Sequence, residues 1–196
     1  MDRNWPRSSG ANQAKDIANA LNMKSFFSPN LAGEWAAGSV VHQYGLSLLW
    51  KGDVEVVAGM ALPGLPGREQ RGLVYAELST QRGTRMVFAN THLSRSSSER
   101  SLQAAFLADW VSRCGNPVLL AGDFNMKNDS PEYQCIRGVL TDLTADLGLV
   151  TFPDNVPDRQ RDYLFASETF RATTVATVDH DLSDHRPVVG ELEVID

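Results

Sequence analysis

Apolar residues at Ala14, Ile17, Ala18 and Leu21 recur three and four apart. That is the spacing of one helical face, and it predicts a helix over residues 9–22. Residues 40–50 and 54–62 are rich in apolar positions and predict two strands around a turn at Lys51-Gly52-Asp53. Leu62-Pro63-Gly64-Leu65-Pro66-Gly67 cannot continue a central strand, because proline has no amide hydrogen for the ladder. Strands follow at 72–79 and 85–90, joined as a hairpin at Gln81-Arg82-Gly83. A second helix is expected over 98–113, with Leu102, Phe106 and Trp110 on one side and Asn116-Pro117 ending it.

Val118-Leu119-Leu120-Ala121 is a short continuous apolar run, as expected of a strand buried on both faces. Ser130-Pro131 marks a helix start, a capping residue followed by proline at the first helical position. Residues 152–161 are polar and contain proline, hence a loop. Three more strands are predicted at 163–166, 173–178 and 188–195. No internal repeat or low-complexity tract divides the chain, so residues 1–196 read as a single domain. Many strands with at least three helices point to a layered α/β or α+β fold rather than a simple alternating doubly wound sheet.

Composition narrows the function. Eighteen basic residues against 24 acidic leave a net charge of −6. A chain that coats nucleic acid nonspecifically is usually basic, so that class is disfavoured. A nuclease is not excluded, because a bound cation changes the local field. With 42% hydrophobic and 21% charged residues the chain has ordinary globular values and can bury a real core. No apolar run approaches the ~18 residues of a membrane span. Residues 1–10 are polar and show no signal-peptide pattern, which leads to an expected cytoplasmic location. Cys114 and Cys135 lack metal-site spacing and read as reduced core thiols.

Four short motifs carry chemistry. Ser183-Asp184-His185-Arg186-Pro187-Val188 precedes the last strand. Its aspartate can ligate a hard cation, and its histidine can handle a proton or a phosphate oxygen. A polar turn with Pro187 setting the start of the strand explains this motif equally well. Gly122-Asp123-Phe124-Asn125 follows the buried strand, where ligands usually bind. Side-chain alternation puts Asp123 and Asn125 on one side. An ordinary Asp/Asn turn is the commoner meaning of such a tetrapeptide. Asn90-Thr91-His92-Leu93 ends another strand, and a lone histidine there is more often structural. Arg161-Asp162-Tyr163-Leu164-Phe165 places an aspartate where it can cap a sheet edge or accept a hydrogen bond from a histidine ring.

Taken in succession, these motifs resemble the endonuclease/exonuclease/phosphatase superfamily of metal-dependent phosphoesterases. Thr-His-Leu, Gly-Asp-Phe-Asn, Asp-Tyr-Leu-Phe and Ser-Asp-His-Arg-Pro-Val stand in family order. Weaker marks are Tyr44-Gly45, Arg71-Gly72, and Arg100 with Gln103. The resemblance implies a four-layer α/β/β/α sandwich of two packed mixed sheets flanked by helices. It implies hydrolysis of phosphoesters, most of all phosphodiesters, with Mg²⁺ or Mn²⁺. By motif match, His185 contacts the scissile phosphate and is oriented by Asp162. Asp123 orients or deprotonates the attacking water, and His92 stabilises the pentacovalent state. Asn125 binds phosphate or a second metal position, and Asp184 is a metal ligand. The substrate class stays open among nucleic acid, lipid head group and soluble phosphate ester.

One family mark is missing. The family's metal-binding glutamate, in a Gln-Glu motif after the second strand, would lie just before Met1. The expectation is therefore an N-terminally truncated domain, with Met1 an internal methionine of a longer reading frame. Glu34 lies in a loop-like place and Asp2 lacks a supporting motif, so neither reads as a replacement. The rival is a catalytically impaired family fragment that acts as a binding module or has no activity of its own. His42 reads as structural, His180 and Asp181 are left out of the site, and Trp5, Trp35, Trp50 and Trp110 read as packing residues. Arg68, Arg71, Arg82 and Arg85 could meet a phosphate-rich substrate, but read rather as solvated surface.

Overall fold

The computed structural model describes residues 1–34, 39–80, 83–180 and 182–195. Trp35, the expected turn at Gln81-Arg82, and Asp181 lie outside the described residues. The first elements are β1 (Asp2–Arg3), α1 (Gln13–Ala20), β2 (Lys24–Gly33), β3 (His42–Trp50), β4 (Val56–Ala61), β5 (Gly72–Ser79) and β6 (Arg85–His92). There follow α2 (Ser97–Arg113), β7 (Val118–Asp123), α3 (Pro131–Arg137), β8 (Thr141–Asp142), β9 (Asp162–Ala166), β10 (Phe170–Thr177) and β11 (Val188–Val194).

The central sheet has the order β4-β5-β6-β7-β9-β8. Only β6 and β7 run parallel, joined by the α2 crossover that parallel strands need. On one face Ala104, Leu107 and Val111 of α2 and Tyr133 and Ile136 of α3 pack on Leu73, Val87, Ala89 and Leu120. The other face carries β1-β3-β2 and the hairpin β10-β11, and α1 lies outside the former against β2 and β3. The result is the α/β/β/α sandwich the motifs implied.

The second sheet departs from the expectation of two mixed sheets. It is divided into two antiparallel pieces that share no ladder among the described residues. Leu46 and Leu48 of β3 sit on Val74 and Ala76 of β5, whereas Leu192 and Val194 of β11 reach Leu119 and Ala166. One piece therefore lies over β5 and the other over β7 and β9. Below them Ala121, Gly122, Leu164 and Val188 line a cavity of about 200 Å³.

Three details differ from the pattern reading, each for a physical reason. Strand β2 escaped notice because Pro29 interrupts it. A bulge between Pro29 and Leu31 takes up the proline, as edge strands allow. Helix α1 is shorter than predicted and buries Ala14 and Ala18, while Ile17 and Leu21 stay exposed. On α2 the buried face is Glu99, Gln103, Ala104, Leu107 and Val111, and Leu102 is exposed. Two polar residues on that face hid it from a hydrophobic pattern. They are satisfied locally: Ser94 Oγ donates to Glu99 Oε2 at 2.6 Å, and Gln103 Nε2 donates to the Pro63 carbonyl at 3.1 Å. Cys114 and Cys135 are free and half-buried. No described helix is long and apolar enough to cross a membrane.

Candidate active site

Sheet register brings three of the sequence-predicted residues into one row. His92 ends β6, Asp123 ends β7 and Asp162 begins β9, and His92 pairs with Asp123 and Asp123 with Asp162. Gly122 lets β6 and β7 close up here. Its φ is +146°, and a Cβ would strike the Thr91 carbonyl oxygen. Asp184 and His185 arrive on the segment before β11, which the Arg186 amide ties to the Thr151 carbonyl at 2.8 Å. All six predicted residues, His92, Asp123, Asn125, Asp162, Asp184 and His185, line one cavity of about 910 Å³.

Asn125 reaches this cavity by a route that alternation did not describe. The strand ends at Asp123, and Asn125 has a left-handed φ of +49°. Its amide donates to Asp123 Oδ1 at 2.8 Å, an Asx turn. Its Nδ2 donates to the Leu93 carbonyl at 3.0 Å and to Asp123 Oδ2 at 3.3 Å. The side-chain oxygen of Asn125 is thereby left for a ligand.

His185 Nδ1 lies 2.8 Å from Asp162 Oδ2, so the carboxylate fixes the tautomer with the proton on Nδ1. The other ring nitrogen faces Asp123 Oδ2 at 3.8 Å, and Phe152 packs on the ring with centroids 4.7 Å apart. The hydrogen bond to Asp162 raises the His185 pKa above the ordinary imidazole value. Asp123 is pushed up to about 6, first by burial and then by the negative charge of Asp162. His92 Nε2 is 3.3 Å from Asp123 Oδ2. Burial, with the Arg71 charge adding to it, takes His92 down to about 3 and keeps it neutral at working pH.

Arg71 is the main residue the sequence reading misplaced. It is 8% exposed, lines the cavity and pairs with Glu69 at 3.0 Å, while its buried Nε has no partner. The signal was available in Arg71-Gly72 at the start of β5, but an arginine after a Gly/Pro-rich loop ordinarily reads as surface. Trp5 likewise lines the cavity, its ring 4.6 Å from that of His42. Tyr44, Phe152, Arg95, Arg159 and Arg161 also line the cavity around this row.

The oxygen-rich donor set suits a hard divalent cation. Asp123, Asp162 and His185 bring one ligand atom each within 4.8 Å of one another, and Asn125 Oδ1 and Asp184 line the same cavity. Asp2 does not line this cavity, and Arg7 engages both of its carboxylate oxygens, at 2.8 and 2.6 Å. Glu34 is exposed.

A four-layer sandwich with a His-Asp couple facing a half-buried aspartate at one rim of the sheet defines a class. The chain belongs to the endonuclease/exonuclease/phosphatase family, whose model matches residues 5–185. It is 31% identical over 140 residues to the uncharacterized protein YbhP of Escherichia coli, covering 65% of this chain and 54% of that one. The chain thus spans about half the length of the curated relatives it matches. Among solved structures it resembles the mannosyl-6-phosphatase Bt3783 of Bacteroides thetaiotaomicron, with a TM-score of 0.73 and 18% identity over 92% of this chain and 81% of that one. It also resembles the catalytic domain of human Nocturnin with a bound sulfate anion. There the TM-score is 0.72 and the identity 16%, over 94% of this chain and 77% of that domain.

Proposed function

We propose that this chain is a divalent-metal-dependent hydrolase of phosphoester bonds, with phosphodiesters as its main substrates. The observation that carries the reading is the row His92–Asp123–Asp162, with His185 bonded to Asp162 and aimed at Asp123. Above pH ~6 Asp123 is a carboxylate able to orient a water and take its proton. His185, whose pKa the hydrogen bond to Asp162 raises, turns Nε2 toward the space a phosphate oxygen would occupy. Neutral His92 contributes a hydrogen bond rather than a charge, and Arg71 supplies a buried cation beside it. Asp184 and Asn125 would hold Mg²⁺ or Mn²⁺, with Asp123 and Asp162 within reach. The ion supplies charge neutralisation at the phosphate oxygens.

Purified protein should hydrolyse bis(p-nitrophenyl) phosphate when Mg²⁺ or Mn²⁺ is added and stop when EDTA is added. Folded protein that turns over no phosphate ester with either ion would defeat the proposal. It would favour the impaired fragment, acting as a binding module or without activity of its own.

A further inference from the structure

A second recess adjoins the catalytic cavity. It has a volume of about 310 Å³ and is lined by Arg95, Arg100, Lys127, Arg161, Asn125 and their neighbours, with no carboxylate in its wall. Arg95, Arg161 and Asn125 line both spaces, so the recess opens beside the catalytic row.

Among the described residues, the charge of this recess is compensated only at Arg100. Arg100 is offset from behind by buried Glu132, 3.2 Å from its Nη2. Arg95, Lys127 and Arg161 take part in no ion pair among the described residues. In a chain with a net charge of −6, carboxylates are plentiful enough that three cations facing one small space without one is unexpected. Two of the arginines are also held in place. Arg161 Nη1 donates to the Asn125 carbonyl at 2.9 Å, and Arg100 Nη1 donates to the Ser94 and Arg95 carbonyls at 3.2 Å. Fixed guanidinium groups lose little freedom on meeting an anion, and their planar forks match phosphate oxygens.

We infer that this recess is a second anion subsite, holding a phosphate of the substrate other than the one that is cleaved. The assignment rests on the phosphoesterase reading above. The ligand chemistry is a phosphate group next to the scissile ester, whether from a nucleic-acid backbone or from a bisphosphorylated small molecule. Lys127 is the residue to change, because it lines the recess and not the catalytic cavity.

The test has two parts on the full chain. In the first, Lys127→Gln is assayed on bis(p-nitrophenyl) phosphate, on a dinucleotide with and without a terminal phosphate, and on a hexose bisphosphate. Loss of one charge-assisted contact should raise KM about tenfold for substrates with the extra phosphate, more weakly at high salt. Values for bis(p-nitrophenyl) phosphate should not change. A penalty confined to the dinucleotide assigns the subsite to a nucleic-acid backbone, and one confined to the hexose bisphosphate assigns it to a small molecule. An equal change for all substrates, or none, overturns the assignment. The second part needs no turnover. Inorganic phosphate should protect Lys127 from acetylation, read by mass spectrometry, more than it protects exposed Lys15 and Lys51. Equal labelling of the three lysines overturns the subsite even if the chain hydrolyses nothing, so its failure is separable from failure of the parent reading.

Discussion

Replacing Asp123 with asparagine should give a protein that is more stable at neutral pH and nearly inert. The activity loss follows from its place in the row: removing a group that positions and deprotonates water costs ~10²–10⁴ in rate. The stability gain follows from its pKa, raised in the fold from 3.8 to about 6. A carboxyl with a raised folded pKa binds its proton more tightly when folded. It therefore costs no stability below pH ~4, costs progressively more as pH rises to about 6, and costs its full amount above that. Asparagine never ionises, so the gain at pH 7 is on the order of 3 kcal/mol without metal, and it vanishes near pH 3. Urea melts at both pH values in EDTA, beside initial rates with Mg²⁺, measure both halves. A mutant that melts earlier than the parent at pH 7, or that keeps its activity, would contradict the placement of Asp123 in a desolvated site beside Asp162.

The second large effect belongs to His185 and Asp162 as a unit. His185→Ala should lower turnover ~10²–10⁴-fold, and Asp162→Asn should produce a milder version of the same defect. Because Asp162 acts through the ring it orients, the double mutant should lose little more than His185→Ala alone. Additive losses would mean that the 2.8 Å contact has no part in the reaction. Stability gives an independent reading. The His185 pKa is raised in the fold, so its contribution is complete below the unfolded value of 6.5. That contribution fades as pH rises through the folded value, and the gap between the parent and His185→Ala should narrow accordingly.

Much of this architecture could be read in the residues because local and tertiary preferences agree there. Val118-Leu119-Leu120-Ala121 is apolar throughout, and β7 is indeed the strand with neighbours on both sides and a layer on each face. Ser130-Pro131 starts α3 where its capping chemistry says, with the Ser130 hydroxyl accepting from the Tyr133 amide. The site residues were legible as motifs, but the force that assembles them was not. That His92, Asp123 and Asp162 stand opposite one another depends on the pairing of β6, β7 and β9, strands far apart in sequence. Arg71 was misjudged because burial of an arginine depends on a partner such as Glu69, which a pattern of apolar residues does not show. The polar face of α2 hid itself for the same reason.

The division of the second sheet bears on how the site holds together over time. The β10-β11 hairpin is fastened to the central sheet by side-chain packing at Phe170, Leu192 and Val194, not by a shared ladder. The segment that delivers Asp184 and His185 leads directly into this hairpin. His92, Asp123 and Asp162, by contrast, are locked in the hydrogen-bonded core. A partial opening that lifts the hairpin and breaks the Arg186–Thr151 and Asp154–Asp184 backbone bonds would separate His185 from Asp162 while leaving the six-stranded sheet intact. Amide exchange at Val189 to Val194, compared with Leu119 and Leu120, reads that difference directly. The proposed catalytic arrangement would then have an opening free energy of its own, set by the packing of one hairpin and the ties of its leading segment rather than by the fold as a whole.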